Sequence, residues 1–157
     1  MMIVLTKAEK AICEWVGRQR LSYAQRTNRN AGEGPSRGNE SPKNHIRGAE
    51  CELAASIALN VSWRPNIGLL NEHDIGGFIE VRSTDLPDGR LIVKPDAADI
   101  DPYVLMIVTP TGYRCAGWAL AEEVKKLPLR HYSNTDPAHY MDQGNLRSVE
   151  TIDRKRG

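Results

Sequence analysis

The chain has 157 residues, 40% of them hydrophobic and 26% charged, with three cysteines and a formal net charge of +1. That size and mixture predict one soluble domain with an aliphatic core. The odd, well-separated Cys13, Cys51 and Cys115 speak against a disulfide framework and for reduced thiols in the cytoplasm. No apolar run approaches the roughly 18 residues of a membrane span, and the leading apolar stretch is too short for a secretory leader, so no membrane partner is expected. The charge is uneven: residues 1–47 carry nine Lys/Arg and four Asp/Glu, whereas residues 48–157 carry twelve and sixteen. A basic N-terminal arm ahead of an acidic body suits a protein that grips a polyanion with one part and binds cations with another.

Residues 6–27 predict a basic helix. Thr6 and Glu9 form a capping-box pair, and Ala8, Ile12, Trp15 and Val16 fall on one face at helical spacing. Residues 28–44, rich in Gly, Asn, Ser and Pro, predict a mobile loop. A second helix is expected over about residues 46–60. Strands follow. "NIGLL" offers a short one. "GFIEVRST" and "RLIVK", joined by "DLPDG", predict one hairpin, and "YVLMIV" and "YRCAGWA", joined by "TPTG", a second. "LAEEVKKL" predicts a short helix that Pro128 ends, and the remainder an irregular segment or a short strand.

On the second helix, with Glu50 at 0°, Leu53, Ala54, Ile57 and Val61 all fall within about 60° of it, whereas Glu52 lies at about 200°. This places Glu50 on the apolar face and Glu52 in solvent. An ionised carboxylate on a core-facing stripe requires a partner or a metal, unless it sits near the rim at the helix N-terminus. On the strand, period-two alternation puts Phe78, Glu80, Arg82 and Thr84 on one face, with Asp74 six residues before Glu80 across two glycines. One Glu-x-Arg pair alone is commonly a solvated ion pair. Three carboxylates with a cation beside them match the hard oxygen ligands of Mg²⁺ or Mn²⁺ and the stabilisation of a phosphate.

At these residues the chain resembles the PD-(D/E)XK nuclease superfamily: Glu50 in "GAECELAAS", Asp74 in "HDIGG" and Glu80 in "IEVR" stand at the motif positions, with Arg82 where the family usually has Lys. The resemblance covers about residues 45–95, and the strand layout is also similar to small nuclease-like proteins of phages and mobile elements. It implies an α+β, restriction-endonuclease-like fold, a mixed and largely antiparallel central sheet flanked by helices, over the whole chain 1–157. It also implies a Mg²⁺-dependent (or Mn²⁺-dependent) endonuclease acting on DNA, with other nucleic acid as a further substrate. Glu50, Asp74 and Glu80 would hold the metal and Arg82 would assist catalysis. Lys94, His73 and His45 are accessory candidates, and Arg18, Arg20, Arg26 and Arg29 candidate phosphate contacts. The alternative reading is an inactive nuclease-fold module that binds DNA or protein, because Arg stays protonated and cannot act as a base. Oligomeric state is left open, a homodimer among the options. A zinc site from His45, Cys51, His73 and Cys115 lacks CxxC or HxxxH spacing. The acidic turn carrying Asp96, Asp99 and Asp101 lacks the Gly and terminal Glu of a calcium loop and is expected to be solvated.

Overall fold

The predicted capping box opens the first helix. Thr6 N donates to Glu9 Oε2 (2.8 Å), and Glu9 N donates to Thr6 Oγ1 (3.2 Å). Helix α1 then runs Lys7–Thr27. A computed structural model describes residues 1–27, 41–68 and 72–156. The predicted loop therefore lies mostly outside the described residues, Arg29 among them. Its last three residues belong instead to helix α2 (Pro42–Leu59), whose first turn is set by Ser41 Oγ accepting from Asn44 N, with Pro42 just inside.

On both helices the buried face is rotated from the one expected, keeping Val16 and Ala54 inside while exposing Ile12, Trp15 and Ile57. On α1 the buried residues are Cys13, Val16 and Gly17, while Ile12 and Trp15 are more than half exposed. On α2 the buried stripe is Ala49, Cys51, Glu52, Ala54, Ala55, Ser56 and Leu59, with Ile57 exposed. Small residues line the seam because the two helices approach closely. A Cβ on Gly17 would fall 2.6 Å from the Ile46 backbone nitrogen.

Eight further elements follow: β1 (Met2–Ile3, before α1), β2 (Glu80–Thr84), β3 (Leu91–Val93), β4 (Pro102–Thr109), β5 (Gly112–Leu120), α3 (Ala121–Lys125), β6 (Leu129–Arg130) and β7 (Ala138–Met141). They form two sheets. The larger has the order β1-β5-β4-β2 and the smaller β3-β7-β6. All pairings are antiparallel except that of β2 with β4. The fold is thus α+β, with a mixed and mostly antiparallel sheet flanked by helices.

The β4–β5 hairpin forms as predicted. The β2–β3 hairpin does not. The turn before Gly89 is present, with Gly89 N donating to Leu86 O, but it sends β3 to the second sheet, where it pairs with β7. The "NIGLL" strand is absent over residues 66–68, and residues 69–70 are outside the described set.

Strand β4 explains the layering. Val104 and Met106 join the cluster beneath α1 and α2, whereas Tyr103, Leu105 and Ile107 join a second cluster with Leu91, Val93, Val124 and Met141. A central strand covered on both faces reads as an unbroken apolar run, as "YVLMIV" does. Trp118 is buried beside the first cluster and Trp63 packs against it, both as core residues. Among the described residues no helix is long and apolar enough to cross a membrane.

Candidate functional site

The local fold around Asp74 begins with a tight reversal. Ile75 and Ile79 exchange backbone hydrogen bonds (both 3.1 Å) around Gly76, Gly77 and Phe78. Gly76 and Gly77 take φ of +62° and +78°, the left-handed region that a residue with a Cβ seldom enters. Strand β2 therefore starts at Glu80, and Phe78 is buried in the turn, off the strand face on which parity had placed it. Beyond Glu80 the parity is as expected. Val81 packs into the helical core, while Arg82 and Glu80 point to the other side, where the Arg82 guanidinium lies 5.0 Å from the centre of the Tyr103 ring.

The reversal brings Asp74 back beside Glu80. Asp74 Oδ2 accepts from Val81 N at 2.8 Å. The Asp74 carboxyl is pushed up to about 6. Burial is the largest cause, and the Glu80 charge and a hydrogen bond with Glu80 add to it, against the Val81 amide and the Arg82 charge. Beside the Glu80 charge, the buried Asp74 carboxyl keeps its proton to higher pH than a free carboxyl does.

Two cavities meet here. Asp74 lines one of about 570 Å³ with Glu72, His73 and Arg64. Glu80, Arg82, Lys94 and Asp101 line another of about 400 Å³, which shares Glu72 and His73 with the first. Within the second, one ligand atom each from His73, Glu80 and Asp101 lies within 4.8 Å of the others, and His73 Nε2 is 3.2 Å from Asp101 Oδ1. The parallel register explains this meeting. Glu80 stands opposite Tyr103, so Asp101, two residues earlier, is carried to the same end of the sheet.

The helix carboxylate facing this region is Glu52, not Glu50. Glu52 is 7% exposed. Arg20 clamps it with two hydrogen bonds (2.8 and 2.9 Å), and the Trp63 indole N–H donates a third (3.1 Å). Burial pushes its carboxyl up and Asp74's charge adds to that, while Arg20 and Trp63 pull it down. Glu50 is half-buried, its carboxyl raised by burial and lowered by Lys10 of α1; the structure does not bring it into the cluster of His73, Glu80 and Asp101. Arg20 is likewise withdrawn from the role of phosphate contact, because its guanidinium is committed to Glu52 and to Asn66 O (2.8 Å). Arg18 pairs with Glu14 at 3.0 Å on the surface and Arg26 is exposed.

Lys94 follows β3 and is not on a strand paired with β2, yet it lines the same cavity as Glu80, 4.0 Å from Asp136. His45 sits in the first turn of α2 and lines neither cavity. The Cys51 and Cys115 thiols are pushed up by burial to about 12 and about 11, and neither belongs to the cluster of His73, Glu80 and Asp101. Sequence reasoning missed Glu52 and Asp101. The first had only an intrahelical signal pointing to solvent, and the second depends on which strands pair.

No protein-family model, curated protein or solved structure matches this chain.

Proposed function

We propose that this chain is a metal-dependent nuclease of restriction-endonuclease-like fold that hydrolyses phosphodiester bonds in DNA. The observation that carries this reading is the closeness of Asp74 to Glu80 at the start of β2, with Arg82 next on the same face and the buried Glu52 of α2 feeling the Asp74 charge. The residues fit a divalent cation: Asp74 borders a cavity of about 570 Å³ and Glu80 an adjoining one of about 400 Å³, and the donor set is oxygen-rich. When bound, such an ion neutralises a phosphate and acidifies a coordinated water.

The chain's own groups divide the remaining work. Asp74 and Glu80 would hold the ion as carboxylates. Arg82 keeps its charge at every physiological pH, so it offsets negative charge on the phosphate and removes no proton. Lys94, on the cavity wall, supplies a second cation. Glu52 fixes the electrostatic background of Asp74 from behind.

A second reading is a binding module without catalysis. It is favoured by Arg82, which stands where a nuclease of this kind usually has Lys and is stacked on Tyr103. One experiment separates the two. Plasmid and single-stranded DNA are incubated with the protein in Mg²⁺, Mn²⁺ or EDTA, beside Asp74→Ala and Glu80→Ala. Cutting that needs metal and is abolished in both variants is the expected result. Salt-sensitive binding without cutting selects the second reading.

A further inference from the structure

We propose that His73, Glu80 and Asp101 form a binding site for one divalent transition-metal ion, of the Mn²⁺, Co²⁺ or Zn²⁺ class, in preference to Mg²⁺. This deepens the nuclease reading by naming the ion class and by keeping Glu80 as a ligand while His73 and Asp101 take the place of Asp74, and the ion-binding claim itself rests on the following geometry. Ligand atoms about 2.1 Å from an octahedral ion lie about 3 Å apart when adjacent and about 4.2 Å apart when opposite. His73 Nε2 and Asp101 Oδ1, at 3.2 Å, already have the adjacent spacing. The whole trio lies within 4.8 Å, so small side-chain rotations complete the set.

The three ligands come from three separately anchored places. His73 precedes the Ile75–Ile79 reversal, Glu80 opens β2, and Asp101 leads into β4. The parallel β2–β4 register locks the last two together, so the site is held by backbone hydrogen bonds and not by flexible side chains alone.

The chemistry of the donors selects the ion. Mg²⁺ favours all-oxygen shells and keeps most of its water, whereas an imidazole nitrogen beside two carboxylates suits the first-row transition metals. Three protein ligands would leave positions open, and Arg82 and Lys94 line the same cavity as the trio, so an anionic ligand would find positive charge beside the ion. Charge argues the same way. Among the described residues neither Glu80 nor Asp101 pairs with a Lys or Arg within 4 Å.

The test is metal titration of the metal-free full-length chain, followed by calorimetry and by the visible absorption of Co²⁺, without any nucleic acid. The expected result is one Co²⁺ or Mn²⁺ per chain, bound at least about tenfold more tightly than Mg²⁺. His73→Ala and Asp101→Asn should each weaken Co²⁺ by roughly tenfold or more at unchanged far-UV circular dichroism. His73→Asp, which keeps three ligands but makes them all oxygen, should still bind Mn²⁺ and lose the preference over Mg²⁺. Equal affinity of the wild type for Co²⁺ and Mg²⁺, or Co²⁺ binding unchanged in both His73→Ala and Asp101→Asn, overturns the proposal. DNA cutting in Mg²⁺ alongside either of those results leaves the nuclease reading standing. Stoichiometric, His73-dependent Co²⁺ binding by a protein that cuts nothing in any metal upholds this site and removes the nuclease reading.

Discussion

The Asp74 carboxyl lies within reach of the Glu80 charge although six residues separate them, because Ile75 and Ile79 pair across the turn between. Burial and the neighbouring charge raise Asp74 from an ordinary 3.8 to about 6. The folded protein therefore holds more protons than the unfolded chain between those values. The stabilisation is fully present below about pH 4 and is lost as pH rises through about 6, up to about 3 kcal/mol in all.

Asp74→Asn keeps an acceptor for the Val81 amide but carries no charge. The variant should be more stable than the wild type by about 1–2 kcal/mol near pH 7.5 in the absence of metal, with a flatter profile from about pH 4 to 7. Urea denaturation at several pH values measures this, and a less stable variant at neutral pH contradicts the account.

Arg20 and Glu52 form an ion pair whose side chains are only 18% and 10% exposed. Removing one partner leaves a buried charge, so Arg20→Ala should cost about 3–5 kcal/mol. Replacing both, as Arg20→Met with Glu52→Leu, should recover most of that loss while ending the coupling to Asp74. Glu50→Ala, by contrast, should change stability by less than about 1 kcal/mol and leave any DNA cutting intact. Denaturation curves for the four proteins decide the matter; a cost below about 1 kcal/mol for Arg20→Ala sinks it.

The third expectation concerns Arg82. If its charge acts on the phosphate, Arg82→Ala should lower the cutting rate by about 100-fold or more, whereas Arg82→Lys should stay within about tenfold of the wild type. Initial rates on plasmid read this directly. Equal rates for Arg82→Ala and the wild type remove the guanidinium from the chemistry.

Helix packing gives a paired comparison of glycines. A Cβ on Gly17 would collide with Ile46, whereas one on Gly48 meets nothing within 4 Å. Gly17→Ala should destabilise by about 1–3 kcal/mol through forced separation of α1 and α2. Gly48→Ala, inside α2, should be neutral or stabilising by up to about 1 kcal/mol. Thermal melts of both variants suffice.

Much of the fold was legible where the signal is local. The Thr6–Glu9 cap, the hairpin around "TPTG" and the alternation of Glu80, Val81 and Arg82 each depend on a few adjacent residues, and each is present. Where two faces compete, periodicity misled. On α2 the larger side chains at positions 53 and 57 mark one stripe, but the buried stripe is the one with the small Cys51 and Ala55, because close helix contact rewards small residues. Glu52 is buried only because Arg20 arrives from 32 residues away, which no helical-wheel argument can show. Asp101 was hidden for a related reason. The Pro-Asp-Gly turn after β2 signals a reversal but not a partner, and β2 pairs with β4 instead of β3.

That parallel pairing also sets a schedule. Parallel neighbours need a crossover, here all of residues 85–101, before their first bond can form. Closing so distant a contact is slow relative to a hairpin. On a ribosome, the residues from His73 to Arg82 emerge well before Asp101 and the strand that holds it. A nascent or partly unfolded chain carries the same acidic and imidazole groups, yet they stay dispersed until β4 docks. Completion of the site is thereby tied to completion of the fold.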